Sequence, residues 1–474
     1  MRNFRQNQYF SFAFIMITLL IWTSPCPAAF TTDDERKVGK EIYDKLDKNN
    51  FLLQDNRLND YITKIGRLVL AQSKKAPFDY TFSIFDSSAI NAFATPGGYI
   101  YINAGLITAV ENEAQLAGVI AHEIAHANAR HVASMIEKSK ILNIATLAAV
   151  IAGAFLGGGG EATAAIAAFS FAGASSLSLK YQRDHEEEAD RLGIEYLVAA
   201  GYYPEAMVEF LKIIKQYEFL SRSIPSYLRT HPGTDDRIFY LENLIQSHFP
   251  EKGAANIAGN FTRMQASIRL NASDLNRREK QIREALGKET NNLDLLYALA
   301  LTSEQLGQTN TALEILKRAL SLSPQDTDVL EKIGLIYLKT GHADQARIHL
   351  IKAAAQSPDR DEITLALGRS CYALGLYQEA LDAYLKIRYK NLSITDIDYL
   401  IAMAYGKLDN LGESHYHFGL HFQKEKKHDS ARFHFQRALT FFPSESPRTH
   451  TIEEALRTLA TPSTPKPAAP PNKQ

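Results

Sequence analysis

The chain has 474 residues, 45% hydrophobic and 22% charged, with a formal net charge of −1 at pH 7. That length and apolar content can bury two substantial cores. So balanced a charge gives no electrostatic footing for nucleic acid, which is excluded as a partner.

In chain order, the first element is an export signal over residues 1–29. Arg2 and Arg5 form a basic start, Phe10 to Trp22 is an apolar run too short for a membrane span, and Ala28 and Ala29 offer small residues for cleavage. Pro25 before Cys26 departs from the small residue that lipid attachment requires. After cleavage the mature chain would keep only Cys371, and no intramolecular disulfide could form.

Tyr99 to Ile102 is rich in aromatic and β-branched residues and is bounded by Pro96-Gly97-Gly98 and Gly105, which predicts a short strand. With an exposed edge, Gly98, Tyr99, Ile100 and Tyr101 would hold an extended peptide by main-chain hydrogen bonds. The stretch from Asn112 to about Glu137 then reads as one helix, apolar at Leu116, Val119, Ile120 and Ile124. It carries His122-Glu123-Ile124-Ala125-His126. Residues four apart share a helix face, so His122 and His126 can grip one metal ion. Glu123, about 100° further round, can reach a metal-bound water and act as general base. His131 lies nine residues past His122, about half a turn from the metal face of a continuous helix. There it reads as a packing or surface residue rather than a ligand.

Residues 141–179 are nearly uncharged and broken by Gly157-Gly158-Gly159-Gly160. They read as two apolar helices with a hinge, packed beside the site or in peripheral contact with a membrane surface. The run His185-Glu186-Glu187-Glu188-Ala189-Asp190 follows. Glu186 and Asp190 share a face, so Glu186 can complete a two-histidine, one-glutamate site while Asp190 accepts a hydrogen bond from a ligand imidazole. Spacing alone leaves Glu187 open, and the ExxxD pattern favours Glu186.

The run Asn91-Ala92-Phe93-Ala94-Thr95-Pro96-Gly97-Gly98-Tyr99-Ile100-Tyr101-Ile102-Asn103-Ala104-Gly105-Leu106, then the HExxH motif, then Glu186 to Gly193, resembles the gluzincin peptidases. That family holds the CAAX prenyl proteases, the mitochondrial stress protease and bacterial periplasmic members. The resemblance spans roughly residues 33 to 245. It implies one Zn2+ per chain held by His122, His126 and Glu186, with Glu123 as base and Asp190 behind the ligands. It also marks Thr230-His231-Pro232 and Arg237, where His231 would steady an oxyanion or close onto the metal, with Arg237 auxiliary.

The second half repeats. Leu293 to Pro324 aligns with Thr327 to Pro358 at a period of thirty-four residues, that of the tetratricopeptide helix pair. Asp361 to Ile387 continues in register, whereas a final unit ending at Pro443 is shifted by half a period, with Asp396 to Leu408 as an odd helix. The expected fold is mainly α with a small β-sheet: a zincin-like α+β catalytic domain over residues 30–248 and an α-solenoid over 291–443. A linker and charged connector helix would occupy 249–290, and a disordered Pro-rich tail 444–474.

Signal, peptidase core and repeats together are similar in layout to periplasmic members of that family. The likeness implies a periplasmic endopeptidase in quality control, acting on unfolded or stalled outer-membrane proteins while the repeats engage their assembly machinery. Two other readings are a chaperone-like adaptor with little proteolysis and a membrane-associated CAAX-type peptidase.

Overall fold

The computed structural model describes residues 30–73, 76–139, 183–221, 225–250, 252–269, 272–390 and 396–460. The expectations for the signal, for residues 141–179 and for the prolines after residue 461 fall outside them. The chain divides into two compact units, residues 1–270 and 271–474. Among the described residues no helix is long and apolar enough to cross a membrane.

The first unit holds α1 (Thr32–Lys48), α2 (Asn56–Leu70), β1 (Thr81–Phe85), β2 (Ala92–Thr95), β3 (Tyr99–Asn103), α3 (Ala104–Ala109), α4 (Glu113–Asn128) and α5 (His131–Ser139). After the undescribed segment come α6 (Arg183–Ala199), α7 (Glu205–Ser221), α8 (Ser226–Thr230), α9 (Thr234–His248) and α10 (Phe261–Ser267). Ile62 and Ile65 of α2, Ile84, Ile100 and Ile102 of the sheet, and Leu116, Ile120 and Ile124 of α4 meet in one core.

The sheet corrects one expectation. Its order is β1-β3-β2, with β3 parallel to β1 and antiparallel to β2. Tyr99 to Tyr101 are therefore in the central strand, where both ladders use the main chain, and Ile100 and Tyr101 are fully buried. A peptide strand can add to this sheet only beyond β1 or β2. Gly98 belongs to the tight connection before β3, where Gly97 and Gly98 both take positive φ (82° and 85°), a conformation glycine adopts without steric cost.

Helix α4 is buried from Glu113 through Ala127. Small residues make this possible: at Gly118 an added Cβ would come 2.9 Å from the Met207 side chain. A helix buried at its N-terminus cannot leave the first-turn amides to water. Asn112 caps it, accepting from the Gln115 amide at 3.1 Å. Glu113, fully buried, accepts from the Tyr61 hydroxyl, from the Tyr202 hydroxyl at 2.7 Å, and from the amides of Ile257, Ala258 and Gly259 at 2.7, 2.6 and 3.1 Å.

Those amides correct a second expectation, since they belong to the stretch read as a linker. Ala258, Phe261, Met264 and Ile268 join the first core, and at Gly253 an added Cβ would lie 2.2 Å from the Tyr202 carbonyl carbon. The first unit closes over its own C-terminal segment because Glu113 gives that segment's amides a buried acceptor.

The second unit is a run of helices: α11 (Ala272–Lys288), α12 (Leu293–Gln305), α13 (Thr309–Leu322), α14 (Thr327–Lys339), α15 (Ala343–Gln356), α16 (Asp361–Ala373), α17 (Tyr377–Lys390), α18 (Ile397–Lys407), α19 (Leu411–Lys424), α20 (His428–Leu439) and α21 (Pro447–Ala460). Glycines set the approach within pairs. An added Cβ at Gly334 would come 2.6 Å from Leu350, at Gly368 2.6 Å from Tyr384 and at Gly419 2.5 Å from Phe435. The last of these falls half a period late because α18 packs between α17 and α19 as a single helix. The tail is also corrected: α21 is helical and buries Ile452 against the cluster of Tyr416 and Phe435, since its apolar residues recur at helical spacing before the prolines begin.

Glu113→Ala would leave buried hydroxyl and amide donors without their acceptor. Each such group costs about 1–3 kcal/mol, so the first unit should lose at least ~3 kcal/mol in a denaturant titration. Tyr61→Phe, which removes one donor and leaves the carboxylate its other partners, should cost about 1 kcal/mol.

Candidate metal centre

The centre is built where α4 and α6 pack against each other. At Gly193 of α6 an added Cβ would lie 3.2 Å from the His122 Cα, so the glycine permits the close crossing that brings Glu186 to the histidines. His122 Nε2 and His126 Nε2 are 3.0 Å apart. Glu186 Oε2 lies 3.4 Å from the first and Glu186 Oε1 3.3 Å from the second. Glu187 is exposed whereas Glu186 is 1% exposed, which separates the two candidates that spacing left open.

His231 completes the cluster. It follows α8, which is tied to Ile90, two residues before β2, by the Tyr227 amide and Ser226 hydroxyl donating to Ile90 O at 3.1 and 3.0 Å. Its ring stacks on Tyr227 with centroids 4.4 Å apart. Nδ1 lies 3.1 Å from Glu186 Oε1 and 3.3 Å from His122 Nε2, and Nε2 lies 3.5 Å from Glu123 Oε1. One ligand atom from each of His122, His126, Glu186 and His231 falls within 4.8 Å of the others.

This donor set fits a divalent metal. Zinc–nitrogen and zinc–oxygen bonds of about 2.0–2.2 Å put tetrahedral ligands ~3.3 Å apart, and the spacings among His122, His126 and Glu186 run from 3.0 to 3.4 Å.

The surrounding groups fix the donors. Asp190 Oδ1 lies 3.0 Å from His122 Nδ1. Arg237 donates to both Asp190 oxygens, at 2.8 and 2.7 Å, and pairs with Glu186 Oε2 at 2.7 Å. Burial alone would raise both carboxyls, yet His231 and Arg237 hold Glu186 well below the usual carboxylate range, and Arg237 and His122 depress Asp190. Burial raises Glu123, whose carboxylate makes no hydrogen bond among the described residues. His126 is held well below the ordinary imidazole value by burial and by His122. Burial and Arg237 also work against a charged His122, but the hydrogen bonds it donates to Asp190 and Glu186 outweigh them and push it up to about 9.

His131 is placed differently from the expectation. The helix read as continuous from Asn112 to Glu137 ends at Asn128, and Arg130 takes φ 56° before α5 begins. Arg130 is fixed there by Glu35 at 2.5 Å and by the Phe30 carbonyl at 2.6 Å. The break turns His131 back on α4, with Nδ1 2.8 Å from His126 Nδ1. On an unbroken helix that contact is out of reach. Tyr227, Gly193 and Glu188 were likewise not read as part of the centre; each acts through packing between distant elements, and spacing within one motif carries no signal of it.

At pH 7 the metal-free His122 carries a proton that a metal at Nε2 must displace. Apparent metal affinity should therefore rise about tenfold per pH unit between pH 7 and about 9 and flatten above. Competition titrations against a chromophoric chelator at stepped pH measure the slope.

Residues 53–245 match the family model described as peptidase family M48, and residues 262–417 match a tetratricopeptide-repeat model. A candidate β-barrel assembly-enhancing protease of Vibrio cholerae is 31% identical over 316 residues, covering 65% of this chain and 64% of its own. The β-barrel assembly-enhancing protease of Yersinia pestis is 28% identical over 348 residues, covering 72% of this chain and 71% of its own. A solved structure of MamA overlaps 33% of this chain and 91% of its own at 22% identity, with a TM-score of 0.31. The donor cluster lies within the matched residues 53–245: the chain carries a metallopeptidase domain of peptidase family M48 followed by tetratricopeptide repeats.

Proposed function

We propose that this chain is a periplasmic zinc endopeptidase in the quality control and assembly of outer-membrane proteins. The observation that carries the chemistry is the buried convergence of His122, His126 and Glu186 beside a carboxylate, Glu123, that burial makes a better proton acceptor. Two imidazoles and one carboxylate are a donor set of catalytic zinc sites. The setting is carried by the relatives named as β-barrel assembly-enhancing proteases. The periplasmic location rests on the signal read in residues 1–29.

Bound zinc would supply Lewis-acid polarisation of the scissile carbonyl. The chain's own residues do the rest. Glu123 takes the proton from the attacking water and returns it to the departing amine. Asp190 fixes the His122 tautomer by accepting from Nδ1–H, leaving Nε2 free to coordinate. Arg237 pairs with both Glu186 and Asp190 and keeps both ionised. His231 is the latency element: Nδ1 is a donor of the same cluster, so in the resting enzyme it occupies the position a substrate or water needs. The repeats recruit partners and assembly machinery, as stacked helix pairs do in general.

Glu123→Gln should keep the metal and lower peptide hydrolysis by about 10²–10⁴-fold, because glutamine cannot accept the proton. Client processing in cells carrying wild-type or Glu123→Gln protein, with metal content measured on the purified chains, tests this; undiminished processing removes Glu123 as base. His231→Ala should raise basal proteolysis with metal retained. A fall in turnover instead would assign His231 to oxyanion stabilisation.

A fragment starting at residue 272 should bind the same partners without hydrolysing them. Pulldown by the first unit alone, with none by this fragment, would remove recruitment from the repeats.

A further inference from the structure

His122 and His126 are oriented by different means. His122 has a carboxylate, Asp190, directly behind its Nδ1. Behind His126 stands another imidazole. His126 faces the cluster with Nε2, so its Nδ1 must carry the ring proton and needs an acceptor. His131 Nδ1, 2.8 Å away, is placed to accept it.

That contact dictates the next one. An imidazole that accepts at Nδ1 carries its own proton at Nε2, and His131 Nε2 lies 3.2 Å from Glu188 Oε2. The direction of donation is thus fixed along the line from His126 through His131 to Glu188. His185 stacks on the His131 ring, centroids 4.3 Å apart and planes 16° from parallel, which holds the ring in the plane both bonds require. His131 is 3% exposed, whereas the Glu188 side chain is half exposed and ends the line at solvent.

We propose that His131 and Glu188 form a positioning relay for His126, locking the tautomer and ring orientation through which it holds the metal. The inference rests on the metallopeptidase reading of the centre. It assigns a role to the third glutamate of the Glu186-Glu187-Glu188 run and to the histidine that helical spacing set aside. Groups placed behind metal ligands in this way typically contribute 10–100-fold to affinity.

The test is zinc affinity of the full chain, measured by competition with a chromophoric chelator. His131→Phe keeps a ring to stack on His185 but offers no acceptor, and should weaken zinc binding by about 10–100-fold. His131→Asn presents an amide oxygen near the Nδ1 position and should recover most of that loss. Glu188→Ala, at a half-exposed site where folding is not at risk, should weaken binding by about tenfold in the wild-type chain and add nothing in His131→Phe.

Wild-type affinity in His131→Phe would overturn the proposal. So would equal loss in His131→Phe and His131→Asn, which would leave only packing, or an undiminished effect of Glu188→Ala in the His131→Phe chain. Failure of the wild-type chain itself to bind zinc would instead remove the metallopeptidase reading on which the relay depends.

Discussion

The burial of the helix Glu113–Asn128 from its first residue through Ala127 is the constraint from which the first unit follows. Buried polar groups must find partners inside the protein, because an unsatisfied one costs kilocalories that a marginally stable domain lacks. Apart from Glu123, the polar side chains named on this helix therefore recruit partners from outside it. Glu113 gathers α2, the segment after α6 and the 257–259 amides. His122 recruits Asp190 and, behind it, Arg237. His126 recruits His131. The fold around the helix is in large part the set of answers to these demands.

The same constraint makes the centre a cation site. Glu123, Glu186 and Asp190 are all buried at this centre, and Arg237 supplies a permanent positive charge to Glu186 and Asp190. The protein interior penalises a surplus of one sign. Raising His122 to about 9 is the response of the metal-free protein, and a divalent ion in the donor cluster would supply the missing charge more fully. His231 sits at the meeting point of both needs, close to Glu123 and to Glu186 and in ring contact with Tyr227.

The second unit obeys a different rule. Among the described residues, separate clusters such as those around Leu350, Tyr384 and Phe435 each serve neighbouring helices. Glycines at Gly334, Gly368 and Gly419 let paired helices approach to contact across bulky side chains. Such a stack tolerates a single odd helix, because each member answers only to its neighbours.

The donor cluster and the repeat were legible in the sequence. HExxH and ExxxD are spacings within single helices, where a period of 3.6 residues dictates which side chains share a face, and His122, His126, Glu186 and Asp190 meet as that period requires. The thirty-four-residue period was legible for the same reason. Tertiary structure alone decided the rest. Period and composition predicted strand β3 correctly, but strand order is set by pairing between distant segments, and pairing put Tyr99 to Tyr101 in the middle of the sheet rather than at its edge. The residues after Phe249 look like a linker by their glycines, and became core because a buried carboxylate far upstream needed their amides. His131 was set aside by helical arithmetic that holds only while the helix continues. Arg130 ends it, drawn into a left-handed turn by Glu35 and the Phe30 carbonyl some hundred residues earlier, contacts that no local spacing could announce.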